Sequence, residues 1–381
     1  MKKLHLIWIL VLLFFNSMAQ YSSLNVKHIT VNDGLNDGIV NAICQDKFGY
    51  MWIATQGALN RFDGTTIKRF THIQGDSTSA PNSSPITTVC DSSGKLWIGY
   101  STGLVELDTR TNKFKHIQFF KDHFVFCVIP VSKNKLIVGT TTDMYCYNLL
   151  NNTVEPLASS SDSIGKNLLE ENYIYDYAFL KNKLLMSSDN AILIYDFVTK
   201  KITKQECAEI GGAINRIFVD GKDAIWLSCF ESKKLISITI DGTTKNDKSS
   251  LLNTAQLNVV ATDFITDNQK NTWILGSNNV IVKINTDGTT QYYNYQNQIP
   301  SKLLASVFKT MYLSNDGNIW FASLTGVDRF HPEKNIFDVF LPYEEISKSK
   351  YACVAFEDSK GDMWCASPNG LVVKRASLKY L

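Results

Sequence analysis

Proline and glycine are scarce, at 8 and 21 of 381 residues, which excludes a collagenous or low-complexity chain. A surplus of one charge is missing too. The formal net charge of +2 falls to zero once Lys2 and Lys3 are set aside, so there is no electrostatic basis for gripping nucleic acid, whose binding rests on neutralised phosphates. No apolar run reaches the ~20 residues that a membrane helix needs. The run from Leu4 to Phe15 comes nearest, with Lys2 and Lys3 before it and Ser17-Met18-Ala19 behind it. That is the pattern of an export signal, expected to be cleaved near Ala19, so residues 1–19 are set apart and the rest is expected in the periplasm. No cysteine follows the run to carry a lipid anchor, and no direct membrane span is expected in the mature chain.

Reactive constellations are equally scarce. The eight cysteines form no Cys-x-x-Cys pair and mostly sit in apolar strand-like runs such as Ala42-Ile43-Cys44, where a thiol behaves as a small hydrophobe. His28, His72, His116, His123 and His331 are scattered without zinc-ligand spacing. His116 and His123, seven apart, are the best metal pair, and they read better as strand or loop histidines. There is no Gly-x-Ser-x-Gly elbow and no phosphate-cradling loop. No catalytic residue, metal or cofactor is therefore expected. What the chain does have is 44% hydrophobic and 12% aromatic residues, ample for a large folded core.

Tryptophan marks a period. Trp52, Trp97, Trp226, Trp273, Trp320 and Trp364 each close a short strand, with Leu136 and Leu184 taken as the matching residues of two weaker copies; the spacing averages about 45 residues. A repeat of that length points to four-stranded propeller blades. Six residues before each tryptophan stand Asp46, Asp91, Asp220, Asp267, Ser314 and Asp358; three before stand Gly49, Gly94, Asp223, Lys270, Gly317 and Gly361. An Asp or Ser at that place accepts from backbone N–H groups two or three residues on, and glycine allows the positive φ that closes the turn. Period-two alternation, as in Leu59-Asn60-Arg61-Phe62, indicates antiparallel strands with a buried face. The expected fold is all-β, a propeller of antiparallel blades. Only Ile164 to Glu171 suggests a helix, in a connection between blades. The long links, Gln74 to Thr88 foremost, gather on one face, where a ligand would be met.

These residues resemble a known family. Asp33-Gly34-Leu35, Val40 through Thr55 and Leu59 through Gly64 are similar to the two-component regulator propeller repeat, as are Asp91 through Gly99 with Gly103-Leu104, and Asp358 through Leu371. The resemblance implies the periplasmic sensor region of the hybrid two-component histidine kinases of Bacteroidetes, in which two seven-bladed propellers and a β-sandwich precede an inner-membrane anchor and a kinase. Many such receptors sense carbohydrate fragments and switch on genes for polysaccharide use. On that plan residues 20–340 are the first propeller and 341–381, with Trp364, start a second; one eight-bladed ring is the alternative. In the eight-bladed case a strand around Val26 to Val31 pairs with the last copy, while Ile336 to Phe340 serve the seventh blade. No kinase glycine motif or receiver domain occurs here, so this chain is not expected to be an enzyme. Expected partners are a small-molecule or oligosaccharide ligand and the remainder of a parent receptor, with a homodimer also compatible.

The enzyme alternative is an exported propeller hydrolase or lyase. Ser314 through Trp320 resembles the Asp-box turn of sialidases, a structural element. The six arginines, at 61, 69, 110, 216, 329 and 375, are too dispersed in the repeat to suggest a converging carboxylate clamp. A third reading is a stand-alone binding scaffold. Tyr173, Tyr175 and Tyr177, Tyr145 and Tyr147, and Tyr292, Tyr293 and Tyr295 offer sugar-stacking surfaces, though blade packing explains most strand aromatics.

Overall fold

The computed structural model describes residues 26–332, apart from 142, 159–161, 241–243, 248–259, 278–279 and 295–307, and then 354–359, 363–367 and 370–374. Two compact units divide the chain, Met1–Pro332 and Glu333–Leu381. The expected export signal and Ile336 to Phe340 lie outside the described residues.

In the first unit, six sheets of four antiparallel strands follow chain order, over residues 40–70, 85–116, 125–156, 176–206, 214–247 and 261–294. These are blades 1 to 6. Blade 7 takes its three inner strands from residues 308–330 and its outer strand from the amino terminus, where Lys27–Ile29 pairs antiparallel with Val327–Phe330. The expected helix is present as Ser163–Glu171, capped by Asp162, whose Oδ1 accepts from Gly165 N and whose Oδ2 accepts from Ile202 N of blade 4.

The second strand of each blade explains why the sheets pack side by side. Met51–Thr55, Leu96–Tyr100, Ile225–Cys229, Thr272–Gly276 and Ile319–Ser323 are buried at every position, so both of their faces must be covered. Met51 and Ile53 cluster with Trp320 and Ala322 of blade 7, whereas Trp52 and Ala54 cluster with Leu96 and Ile98 of blade 2. Seven such clusters each join one blade to the next, the last joining blade 7 back to blade 1. The ring is a seven-bladed propeller. The eight-bladed alternative fails because the amino-terminal strand pairs with the seventh copy. In the second unit, Val354–Glu357, Met363–Ser367 and Gly370–Lys374 form a three-stranded antiparallel sheet.

The turn before each tryptophan does more than reverse the chain. Asp46 Oδ1 accepts from Phe48 N (2.9 Å) and Tyr50 N (3.0 Å), and Oδ2 accepts from the Trp52 indole N–H (2.8 Å). Asp91, Asp220, Asp267 and Asp358 hold Trp97, Trp226, Trp273 and Trp364 at 2.8, 2.9, 2.8 and 2.9 Å, and Ser314 Oγ takes Trp320 at 3.0 Å. A buried indole needs an acceptor, and the residue that shapes the turn supplies it. Sequence reasoning placed the bonded amides two or three residues on; they lie two and four on, and the indole bond went unforeseen. Gly49, Gly94 and Gly317 have φ of 90°, 85° and 83°, while Asp223 and Lys270 accept the same left-handed backbone at 61° and 68°.

Blades 3 and 4 differ. Their first hairpins close in two residues, Lys133-Asn134 and Lys181-Asn182. The side chains that meet the following blade in the tryptophan's place are Ile137 and Leu185. Leu136 and Leu184, expected from the spacing, are their neighbours and face the preceding blade. A one-residue slip in a strand exchanges its faces, and the shortened turns caused that slip.

Candidate channel-mouth binding site

Antiparallel order puts the links between blades at the end of the propeller where every first strand begins, and the aspartate turns at the other. The first strands line the central channel. Six of the seven carry a β-bulge at one place, between Val40 and Ala42, Pro85 and Thr87, Val125 and Cys127, Ile214 and Arg216, Ala261 and Asp263, and Phe308 and Thr310. A bulge re-aims side chains and breaks alternation, so two successive residues escape full burial at the bulge in five of these strands, as in Ile214–Val219 and Phe308–Leu313, whereas in blade 3 only Phe126 does. The bulge residues Asn41, Ile86, Asn215, Thr262 and Lys309 line a cavity of about 590 Å³ at the link-side mouth, with Tyr175 and Phe230. Phe126 lines a second cavity of about 560 Å³ that also takes in Asp176, Tyr177 and Asp263.

Polar groups bind the mouth together across blades. Lys309 Nζ donates to Asn41 Oδ1 at 3.0 Å, and Asn41 Nδ2 donates to Pro85 O at 2.9 Å. Arg216 reaches from blade 5 to the carbonyls of Thr262 and Lys309, and its Nη1 lies 3.6 Å from Asp176 Oδ1. Asp263 Oδ2 accepts from Thr310 Oγ1 and Met311 N, both at 2.6 Å. Burial pushes the Asp176 carboxyl up to about 6 against the pull of Arg216 and Ile217 N. Burial opposes the Arg216 charge, but Asp176 and Asp263 hold its pKa above the ordinary arginine value. Burial lowers that of Lys309. Such a mouth can bind and orient a polar solute.

The residues singled out in the sequence are distributed unevenly around this mouth. The turn residues hold blades at the opposite end. Tyr175 lines the mouth, its hydroxyl donating to Asp189 (2.9 Å), a bond that raises its pKa to about 12; Tyr173 lies 4.9 Å away edge-on. Tyr177 lines the channel, Tyr147 and Tyr293 are buried, and Tyr295 lies outside the described residues. Arg61 and Arg329 lie over Trp52 and Trp320 as cation–π lids; Arg69 binds Gly34 O and Arg110 binds Asp108. Only Arg216 of the described arginines reaches the channel; Arg375 is outside them. His28 pairs with Asp328 at 2.7 Å, and His123, His331, His72 and His116 meet carbonyls. The last two pin the first link, which walls a separate cavity of about 810 Å³. Among the described residues no group of three or more His, Cys, Asp or Glu is placed to hold a metal, and Cys44, Cys90, Cys127, Cys146, Cys207 and Cys229 are free. Sequence reasoning does not single out Asn41, Asn215, Thr262, Asp263 or Lys309; the available signal is a polar pair at the second and third positions of the first strand in blades 5, 6 and 7, and Asn41, followed by Ala42, lacks it.

Residues 34–57, one copy of the repeat, match the family described as two component regulator propeller. That match falls on the first hairpin of blade 1. Over 61 residues it is 44% identical to histidine kinase P4 of Formosa agariphila, a stretch covering 16% of this chain and 4% of that protein. The propeller repeats superpose on the extracellular domain of a protein described as a hybrid two-component system of B. thetaiotaomicron, with a TM-score of 0.70 and 18% identity over 93% of this chain and 48% of that one. A second such domain from the same organism gives 0.66 and 17% over 93% and 46%. A streptogramin B lyase gives 0.60 and 15% over 80% and 96%. The chain thus spans about half the length of the Bacteroides domains that it matches. No helix among the described residues is long and apolar enough to cross a membrane.

Proposed function

We propose that this propeller is the ligand-sensing part of a hybrid two-component receptor, exported through residues 1–19, and that a glycan-derived solute is met at the channel mouth. The readout would be control of genes for polysaccharide use, with a second propeller, a β-sandwich and an anchored kinase as further parts of the same receptor. One observation carries the choice of site. The bulges turn amide, hydroxyl and cationic side chains from blades 1, 5, 6 and 7 into a single cavity beside Tyr175 and Phe230. Amides and hydroxyls suit sugar hydroxyls, and aromatic rings suit sugar faces. The likeness to extracellular domains of two-component systems supports the sensing role, and the repeat family agrees.

The test is thermal unfolding of the purified chain against a panel of polysaccharide digests, because a solute that binds only the folded state raises Tm by mass action. A saturable rise that Asn215→Ala abolishes supports the reading. Release of reducing ends or unsaturated products by the chain would move the assignment to a propeller hydrolase or lyase. No rise with any digest would remove the sensing reading.

A further inference from the structure

We propose that the channel mouth selects an acidic oligosaccharide, with Lys309 and Arg216 receiving its carboxylate or sulfate ester. The inference rests on the sensing reading above and names its ligand class. Among the described residues, the mouth cavity has two cationic side chains and no Asp or Glu in its wall. Lys309 donates to Asn41 Oδ1 at 3.0 Å, and no described carboxylate lies within 4.0 Å of its ammonium. An ammonium has three N–H groups, so two remain for a ligand. Arg216 is held from below: the Lys309 carbonyl takes its Nη2 at 3.3 Å, and Asp176 stands 3.6 Å from its Nη1. Its side chain is still 30% exposed, against 19% for Asp176, so the cation is nearer the solvent than its counter-ion.

The aromatic residues of the cavity explain why a sugar fits better than a bare anion. Tyr175 donates to Asp189, and Tyr173 stands beside it, 68% exposed. The cavity wall therefore combines the two cations with the aromatic rings of Tyr175 and Phe230. A ligand that carries both an anionic group and sugar rings suits that combination, and about 590 Å³ is far more room than a lone anion fills. Charge-assisted hydrogen bonds would fix the anionic end.

Calorimetric titration of the full chain distinguishes the possibilities. The probes are uronic-acid di- to tetramers, sulfated oligomers, and neutral oligomers of equal length, with methyl-esterified and desulfated counterparts. Acidic oligomers should bind, weaken about tenfold or more when the charge is masked or when Lys309→Met is introduced, and weaken with added salt. Lys309→Arg should restore binding, and an unchanged Tm would show that both variants fold. The uronate and sulfate arms identify which anion is read. Neutral oligomers binding as tightly as acidic ones, indifferent to Lys309→Met, would overturn this inference and leave the sensing reading in place. Failure of every oligosaccharide class would overturn both.

Discussion

Blades 1 and 2 differ from blades 3 and 4 in how the first hairpin is held. In the former pair, a five-residue turn carries an aspartate that binds two backbone amides and the indole of a buried tryptophan. In the latter pair, the turn has two residues, the aspartate is gone, and Ile137 and Leu185 stand where the indole would be. Acceptor and indole disappear together. A tryptophan without the aspartate would bury an unsatisfied N–H, and an aspartate without the tryptophan would keep a buried carboxylate one donor short. Two-residue turns also need no acceptor for the amides inside a longer loop. Blade 7 occupies the middle ground, with Ser314 in place of aspartate and the Trp320 indole bond kept at 3.0 Å.

Substitutions can sharpen or break that comparison. The largest effect is expected for Asp91→Ala, which strands the Trp97 indole and the amides of Ser93 and Lys95; unfolding in denaturant should show a loss of about 3–4 kcal/mol. Adding Trp97→Leu should recover about 1–2 kcal/mol relative to additivity, and strictly additive losses would mean that the two residues are not a unit. Ile137→Trp asks the reverse question. With no acceptor six residues back, overpacking and a stranded indole should cost about 2–3 kcal/mol by the same measurement. A neutral outcome would show that blade 3 tolerates the indole without its partner.

The channel provides a pH test that is independent of the turns. Burial raises Asp176 to about 6 from its ordinary value near 3.8, with Arg216, Asp263 and the Ile217 amide around it. Between those values the folded chain holds more protons than the unfolded chain, so stability is greatest at the acidic end and is lost as pH rises through about 6. The contribution should be about 2 kcal/mol, allowing for partial exposure. Unfolding curves at pH 4, 5, 6 and 7 should show that decline in the natural chain and a flatter profile in Asp176→Asn. Parallel profiles would remove Asp176 as its source. The smallest effect belongs to Lys270→Gly. Its φ of 68° is left-handed, and relief of that conformation should raise stability by about 0.5–1 kcal/mol, partly offset by glycine's greater freedom when unfolded.

How far each feature was readable follows from the distance over which its cause acts. Aspartate, glycine and tryptophan lie within seven consecutive residues, so one local motif announces the turn, the strand behind it and the recurrence of the blade. The off-by-one assignment at Leu136 and Leu184 shows the limit, because a deletion within the turn shifts the count while the face of the strand is set by the neighbouring blade. The mouth was less readable still. A bulge spoils the alternation by which a strand is recognised, and the partners it brings together are remote: Lys309 and Asn41 are 268 residues apart.

Local chemistry in the sequence determined the repeat, the strands and the anchoring turns, since each arises from residues a few positions apart. Only the tertiary structure decided that the ring closes at seven, because closure depends on which blade the amino-terminal strand completes. It alone also decided which polar side chains share the channel mouth, because that depends on seven sheets meeting around one axis and on the bulges that turn their first strands inward.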